Sequence, residues 1–226
     1  MKNVLGRLFS YVLPIRLTKK QGDINKYLEV RLENGKYVLN TELVNYSFGG
    51  LHKVFKQALS SYPLANRKID NVLILGFGAG SAASLLRKEH NIKSPIMGIE
   101  QDSMVIELAE KYFDINQFQP LTIHQYDAFE FVMNCKEVYD LIIMDVFIED
   151  EVSEKFLQQD FVNALGSVLS PNGILFYNIM VHTPEYRQRA EQLRNKCNKV
   201  LGRTNTEKII VQGKENWVLV CDRASA

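Results

Sequence analysis

Hydrophobic residues recur along this chain with two different spacings, one typical of strands and one typical of helices. Apolar residues that alternate or run together predict strands, and apolar residues at every third and fourth position predict helices. Segments 27–32 and 36–39 flank Glu33-Asn34-Gly35, and Asn-Gly suits the tight turn of a β-hairpin. Helical spacing follows in residues 51–59, and a polar connection leads from Pro63 to Asp70.

Strands and helices alternate from residue 72 onwards. Strands are predicted at 72–75, 95–100, 121–126, 139–145 and 173–179, separated by helices that begin at Ser81, Asp102, Asp127 and near Ser153. A helix from Thr183-Pro184 and a last hairpin, 207–212 and 216–222, complete the pattern. Alternation of this kind produces a parallel sheet covered by helices on both faces. We therefore predict an α/β fold: a small domain of a helix and a β-hairpin (1–62), then a Rossmann-like domain (63–226) with seven strands, the last antiparallel.

The first strand of the larger domain runs into the glycine-rich loop Gly76-Phe77-Gly78-Ala79-Gly80. Glycines permit a tight turn and a close approach of a ligand to the backbone, and the following helix offers unpaired N–H groups. The dinucleotide fingerprint G-x-G-x-x-G requires a glycine at position 81, where this chain has Ser81. The loop therefore favours S-adenosylmethionine over NAD as the cofactor.

Three carboxylates follow the strands at the edge of the sheet where ligands bind in such folds. Glu100, next to Gln101, is placed to accept hydrogen bonds from a ribose diol. Asp127, next to Ala128, is placed to take the amino group of adenine, and Asp145 stands at the mouth of the site. Each carboxylate also has a structural alternative. Glu100 is then a solvent-facing acid, Asp127 a helix cap and Asp145 a strand-end acid bonded to backbone. Tyr177 and Asn178, which end the fifth strand, are candidates for an acceptor pocket.

Charge is distributed unevenly along the chain, although the net charge is only +1. Residues 1–60 carry ten Lys or Arg and four Asp or Glu, whereas residues 99–160 carry three and fifteen. An acidic rim attracts a cationic ligand such as a sulfonium or an amine, while solvated acidic faces are the simpler explanation. The basic stretch 187–208 fits the outer face of a helix, which argues against nucleic-acid binding.

The cysteines and the N-terminal segment bear on metal binding, location and membrane contact. Cys135, Cys197 and Cys221 have neither the spacing of a metal site nor that of a disulfide framework, so we expect no metal. The short apolar run 8–14 lacks a cleavage site and the length of a membrane span. We expect a cytoplasmic protein without membrane contact. The apolar side chains near the N-terminus need cover, from the hairpin domain or from a second subunit: Val4, Leu5, Leu8, Phe9, Val12 and Leu13.

The chain resembles the spermidine synthases, the aminopropyl-transferring branch of the class I S-adenosylmethionine-dependent methyltransferase superfamily. The resemblance covers nearly the whole chain: the early hairpin and segments 76–80, 98–100, 126–131 and 139–145 follow the order and spacing of that family. It implies the seven-stranded methyltransferase sheet, an adenosyl sulfonium cofactor, a polyamine as acceptor and a homodimer.

Departures from the family pattern bear on the chemistry. The family loop G-G-G-D-G has an aspartate that holds the amine of decarboxylated S-adenosylmethionine, and this chain has Ala79 there. The family motif D-S-S/T-D-P keeps its first aspartate as Asp145, but Ile148 replaces the second, which helps to grip the diamine. The Y-H-E motif falls on Phe48-Gly49-Gly50 unless a shifted alignment recruits Tyr46 or His52.

Three hypotheses follow. The favoured one is methyl transfer from S-adenosylmethionine to an unidentified small molecule, because the nucleoside contacts are kept while two acids near the acceptor are lost. The first alternative is a divergent aminopropyltransferase that uses decarboxylated S-adenosylmethionine, with Asp145 as the base and an acid of segment 149–151 replacing the missing ligand. The second alternative is a protein that binds a nucleoside without catalysis.

Overall fold

The computed structural model of the chain describes residues 4–41, 45–48, 50–147 and 152–223, and its strands form two sheets. Side chains of residues 4, 5, 45–47, 50 and 51 lie outside the description. The strands are β1 (Ile15–Lys20), β2 (Leu28–Glu33), β3 (Lys36–Asn40), β4 (Asn45–Ser47), β5 (Val72–Leu75), β6 (Ile96–Glu100), β7 (Leu121–Gln125), β8 (Tyr139–Met144), β9 (Leu169–Val181), β10 (Arg203–Val211) and β11 (Lys214–Asp222). The helices are α1 (Val4–Phe9), α2 (Gly50–Ser60), α3 (Ser81–Lys88), α4 (Ser103–Tyr112), α5 (Ala128–Asn134), α6 (Glu154–Leu157), α7 (Gln159–Val168) and α8 (Pro184–Val200).

The large sheet has the order β10-β11-β9-β8-β5-β6-β7. β11 pairs antiparallel with both of its neighbours, and the strands from β9 to β7 pair in parallel. The predicted seven-stranded α/β sheet with an antiparallel last strand is therefore confirmed. The crossover of strand order between β5 and β8 places the carboxyl ends of β5, β6 and β8 around one crevice.

Both faces of this sheet are buried, which explains the continuous apolar strands. In β5, Val72 and Ile74 join one hydrophobic cluster with α2, α3 and α4, whereas Leu73 and Leu75 join a second cluster with α5 to α8. All four side chains are fully buried. Alternate residues of β5 thus pack against the helices on opposite faces of the sheet. This packing fixes the position of the strand end that leads into the glycine loop.

The N-terminal sheet has the order β1-β2-β3-β4, antiparallel throughout. The predicted hairpin is its centre, with Asn34 and Gly35 in the left-handed region at φ 50° and 73°. Leu28, Val30 and Leu39 are fully buried in the cluster that also contains α2, α3 and α4. The sheet is therefore packed on the helical layer, and the domain boundary near residue 62 stays a prediction.

Several ends differ from the sequence-based predictions. β9 begins at Leu169 rather than at residue 173, and the helix near Ser153 is two helices, α6 and α7. The last hairpin turns on Gln212-Gly213, at φ 52° and 77°, so its strands are longer than predicted. In the described part of the chain, no helix has the length and apolar character needed to cross a membrane.

The N-terminal segment contacts the hairpin through Ser10, which accepts Asn34 N and Gly35 N at 3.0 and 2.9 Å, but this contact does not cover the apolar side chains. Its described apolar side chains are 62–79% exposed: Leu8, Phe9, Val12 and Leu13. Cover by a second subunit, the other expectation, stays a prediction.

Candidate functional site

The glycine loop connects β5 to α3 in a conformation that only glycine adopts readily. Gly76, Gly78 and Gly80 have φ of 79°, 56° and 86°, in the left-handed region that a Cβ atom disfavours. A Cβ at Gly76 would lie 2.2 Å from the carbonyl oxygen of Asp145. Gly76 therefore lets the ends of β5 and β8 come into contact.

The two non-glycine residues of the loop are buried beneath it. Phe77 is 2% exposed, and its ring covers Gly98, where a Cβ would lie 2.5 Å from the ring. Ala79 is fully buried in the same hydrophobic cluster. The loop accordingly presents no side-chain carboxylate, and a cofactor-binding role for Phe77 and Ala79 stays a prediction.

Glu100, at the end of β6, is 4% exposed and is bonded to the glycine loop. Its carboxylate accepts N–H groups of Gly78 at 2.9 Å, Gln101 at 2.9 Å and Asp102 at 3.1 Å. Burial raises the pKa of Glu100 and the backbone hydrogen bonds oppose that rise. An ionised carboxylate accepts about four hydrogen bonds, so about one acceptor position remains for a ribose hydroxyl. The solvent-facing alternative is wrong for Glu100, because its side chain is buried.

Asp127 is the N-cap of α5 and also part of an ion pair. Its Oδ1 accepts the N–H groups of Phe129 at 2.8 Å and Glu130 at 3.0 Å, and its Oδ2 accepts Lys155 Nζ at 2.7 Å. Burial raises the pKa of Asp127, but Lys155 and the two amides outweigh it, and the pKa lies below its ordinary value. The predicted helix cap is confirmed, and the adenine contact stays a prediction: Oδ2, the oxygen outside the cap, already accepts Lys155 Nζ and has about one acceptor position left.

Asp102 anchors the N-terminal segment to the site, a role that no sequence pattern predicts. It is 1% exposed, caps α4 through Met104 N, and accepts backbone N–H groups of residues 23–25 at 3.1–3.2 Å and the Asn25 side-chain amide at 3.1 Å. Gly22 is required because a Cβ there would lie 2.2 Å from the carboxylate. Ile24 and Asn25 are thereby held at the rim of the cavity beside Glu100.

A small cavity brings five of the predicted site residues together. Its volume is about 50 Å³, far below the roughly 300–1,000 Å³ of small-molecule sites. Its polar groups suit a nucleoside, but its volume is smaller than that of a nucleoside. The lining residues are the predicted Gly76, Glu100, Gln101, Asp127 and Ala128, with Ile24, Asn25, Ile99, Asp102, Tyr126, Val146, Phe147, Lys155 and Phe156.

Asp145 follows β8 next to Gly76 and does not line this cavity. Its Oδ1 accepts the amide of Asn178 at 3.0 Å. The residue as a whole is half-buried, but its carboxyl group is surrounded by protein, and this desolvation raises the pKa of the carboxyl group to about 7 against the opposing hydrogen bond from Asn178. Asn178 is fully buried, and within the described residues its amide oxygen has no partner. Tyr177, by contrast, is a packing residue that donates to the Phe156 carbonyl at 2.9 Å.

Other predicted positions lie outside the described residues. These are Gly49 of the Y-H-E alignment, Ile148, and the acids Glu149, Asp150 and Glu151, as well as the side chain of Tyr46. His52, the other residue that a shifted alignment recruits, contacts Ser81 Oγ through Nδ1 at 2.8 Å. Across the described ranges, no three His, Cys, Asp or Glu side chains are grouped so as to hold a metal ion.

The strand order, the glycine loop and the carboxylates at the strand ends define the Rossmann-like fold of class I S-adenosylmethionine-dependent methyltransferases. Within this class, residues 52–218 match the family model described as "Spermine/spermidine synthase domain". The chain belongs to that family, which confirms the resemblance seen in the sequence.

The relatives include aminopropyl transferases and methyltransferases. The chain is 25% identical over 189 residues to a probable polyamine aminopropyl transferase of Bifidobacterium longum, covering 81% of this chain and 42% of that protein. It is 26% identical over 121 residues to the human eEF1A lysine and N-terminal methyltransferase, covering 48% of this chain and 17% of that protein. A probable spermidine synthase structure from Corynebacterium glutamicum shares the fold with a TM-score of 0.75 at 16% identity, over 91% of this chain and 79% of that one. The chain thus spans less than half the length of these curated relatives.

Proposed function

We propose that this protein transfers an aminopropyl group from decarboxylated S-adenosylmethionine to a small cationic amine. The family and the aminopropyl transferase relative favour this reaction over methyl transfer, the first expectation from the sequence. The observation that carries the proposal is the Asp145 carboxyl group, which is desolvated, next to Gly76 and oriented by Asn178. A base with a pKa of about 7 is well matched to proton transfer near neutral pH.

The side chains at the crevice have distinct roles in this proposal. Glu100 and Asp127 hold the ribose and the adenine. Gly76 lines the same cavity, whereas a Cβ at Gly80 would meet Ile115 and Phe118, so Gly80 shapes the loop. The bound sulfonium compound supplies an electrophilic carbon, whose C–S bond breaks as the C–N bond forms. Asp145 takes the proton that the amine nitrogen must lose, and Asn178 fixes the orientation of the Asp145 carboxyl group.

Methyl transfer is the second candidate, and Ala79 is the observation that favours it. Ala79 is uncharged and fully buried, so this position provides no carboxylate to hold the amine of the decarboxylated compound. The same substitution removes a group that would repel the carboxylate of intact S-adenosylmethionine. The human relative, a methyltransferase, belongs with this candidate.

The products distinguish the two reactions. The protein is incubated with putrescine and either sulfonium compound, and products are separated by liquid chromatography and mass spectrometry. Aminopropyl transfer releases methylthioadenosine, whereas methyl transfer releases S-adenosylhomocysteine. We expect the first product, and we expect Asp145→Asn to abolish it while Asp160→Asn, at an exposed helical position, does not.

Calorimetric titration with both sulfonium compounds completes the test. We expect tighter binding of the decarboxylated form and loss of binding in Glu100→Ala. S-adenosylhomocysteine as the product, with tighter binding of the intact compound, would instead establish methyl transfer. Absence of binding to either compound would exclude both aminopropyl transfer and methyl transfer.

We also propose a homodimer, since Leu8, Phe9, Val12 and Leu13 form an exposed apolar segment. Exposed apolar patches of this kind mark association surfaces. Light scattering after size exclusion is expected to give twice the monomer mass for the wild type. A double variant, Phe9→Ser with Val12→Ser, is expected to be monomeric, and a wild-type monomer would contradict the proposal.

A further inference from the structure

A second cavity, of about 440 Å³, lies between the N-terminal sheet and helices α3 and α4. It shares no lining residue with the small cavity beside Glu100. Its volume is within the range of small-molecule sites. The structure thus contains space for a ligand that the proposed transfer reaction does not use.

The charged residues of this cavity have an excess of positive charge. Arg7, Lys36 and Lys88 line it together with Glu89 and Asp114. Glu89 is already paired with Lys56 at 2.8 Å. Among the described residues, none of the three lining cations forms an ion pair. Only Asp114 therefore opposes three positive charges, and an anion of charge close to −2 balances the cavity.

The position of Arg7 is set by contacts with the hairpin. Ser10, one turn further along the chain, accepts Asn34 N through its carbonyl at 3.0 Å and Gly35 N through its hydroxyl at 2.9 Å. These bonds fix the end of α1 on the turn that precedes Lys36. Arg7 and Lys36 consequently come from two separate elements, α1 and the hairpin, which these hydrogen bonds hold together at the cavity. They are not neighbouring charges on one solvated helix face.

Aromatic rings form the apolar part of the lining. Phe48 stacks on Phe113 at 5.2 Å between ring centroids and on His52 at 5.7 Å. Tyr37 meets the ring of Tyr112 edge-on at 6.1 Å. Rings arranged in this way provide flat apolar surfaces against which a planar ligand packs.

Two lining residues also have an uncommon backbone conformation. Phe48 has φ 63° and Asp114 has φ 52°. The left-handed region is costly for a bulky residue such as Phe and is concentrated at functional sites. The strained backbone of Phe48 brings its ring into contact with those of Phe113 and His52, beside the cavity that all three residues line.

We propose that this cavity binds a small aromatic phosphate: a planar ring against the Tyr37 and Phe48 walls, and a dianionic group held by Arg7, Lys36 and Lys88. A phosphate monoester carries close to two negative charges at neutral pH, which matches the excess charge of the lining. The ring requirement distinguishes this ligand from inorganic phosphate.

Phenyl phosphate is the probe, because it carries the ring and the charge without a nucleoside that would enter the other cavity. Isothermal titration calorimetry compares it with inorganic phosphate and with phenol. We expect saturable binding of phenyl phosphate, and weaker binding of either part alone. Saturating methylthioadenosine is expected to leave the binding unchanged, since the two cavities share no residue.

Variants assign the binding to this cavity. Lys36 and Lys88 are exposed, so their replacement by Met leaves the core intact, and each change is expected to weaken phenyl phosphate binding about two- to fivefold. Tyr37→Leu is expected to weaken phenyl phosphate binding more than inorganic phosphate binding. Lys68→Met, at an exposed lysine paired with Asp70 outside the cavity, is the matched control and is expected to bind as the wild type does.

Three results would overturn the proposal. They are no saturable binding of phenyl phosphate up to tens of millimolar, equal weakening in Lys68→Met and in the cavity variants, or displacement of the probe by methylthioadenosine. These outcomes are independent of the transfer assay, so failure of one proposal does not imply failure of the other.

Discussion

Replacement of Asp145 by Asn is expected to abolish transfer and to stabilise the folded protein at alkaline pH. Desolvation raises the pKa of Asp145 from 3.8 to about 7 in the folded state. One pKa unit corresponds to about 1.4 kcal/mol, so the ionised carboxylate costs the fold about 4 kcal/mol. Asn keeps an oxygen that accepts the hydrogen bond from Asn178 and carries no charge, and it removes this cost.

The sign of the effect depends on pH. The folded state binds the proton more tightly than the unfolded chain, so the stabilising effect of protonation is complete below pH 3.8 and is lost as the pH rises through about 7. We therefore expect Asp145→Asn to raise the free energy of unfolding by about 4 kcal/mol at pH 8.5 and by only about 2 kcal/mol at pH 5.

Urea-induced unfolding of both proteins at each pH measures this difference. Comparison of the two proteins at one pH cancels the titration of all other groups, and Asp160→Asn controls for the loss of one negative charge at an exposed position. A gain of equal size at both pH values, or a loss of stability at pH 8.5, would refute the assignment of a desolvated carboxyl group to Asp145.

Three further changes test the geometry of the site. Gly76→Ala is expected to cost more than about 3 kcal/mol in urea-induced unfolding, because its Cβ would lie 2.2 Å from a backbone oxygen. Gly213→Ala, with a similar φ of 77° and no atom within 4 Å, is its control and should cost about 1 kcal/mol. Asp102→Ala is expected to lower the free energy of unfolding by about 3 kcal/mol, because several buried donors lose their acceptor; an unchanged value would contradict the anchoring role. Lys155→Met is expected to tighten nucleoside binding about two- to fivefold in calorimetry, because the Asp127 oxygen is released; weaker binding would show that Lys155 assists the ligand.

The sheet and the position of the crevice could be predicted because they follow from local patterns. Buried strands are continuous apolar runs, and the residue after each run lies at the same edge of the sheet. Glu100 and Asp127 were identified on that basis, and both line one cavity. β1 was missed because its side chains are largely exposed, with only Ile15 and Thr18 half-buried, so its sequence lacks an apolar face.

The interactions that shape the site depend on distant parts of the chain. Asp102 is recognisable in the sequence only as a helix start, because its partners Asp23, Ile24 and Asn25 lie 77 to 79 residues away. Lys155, 28 residues from Asp127, has no sequence pattern that marks it. Burial from several elements likewise sets the pKa of Asp145, and no local motif encodes that burial.

The electrostatic state of the crevice connects the proposed ligand to the proposed base. Asp145 and Glu100 both have pKa values raised by burial, so bringing in a positive charge is more favourable than bringing in a negative one. A cation next to a carboxyl group favours its ionised form. We therefore expect binding of the proposed sulfonium compound to increase the fraction of Asp145 that is deprotonated and able to accept a proton from the amine. The carboxylate of intact S-adenosylmethionine opposes this effect, so we expect the decarboxylated compound to increase this fraction more than the intact compound does, even though Ala79 provides no partner for its amine.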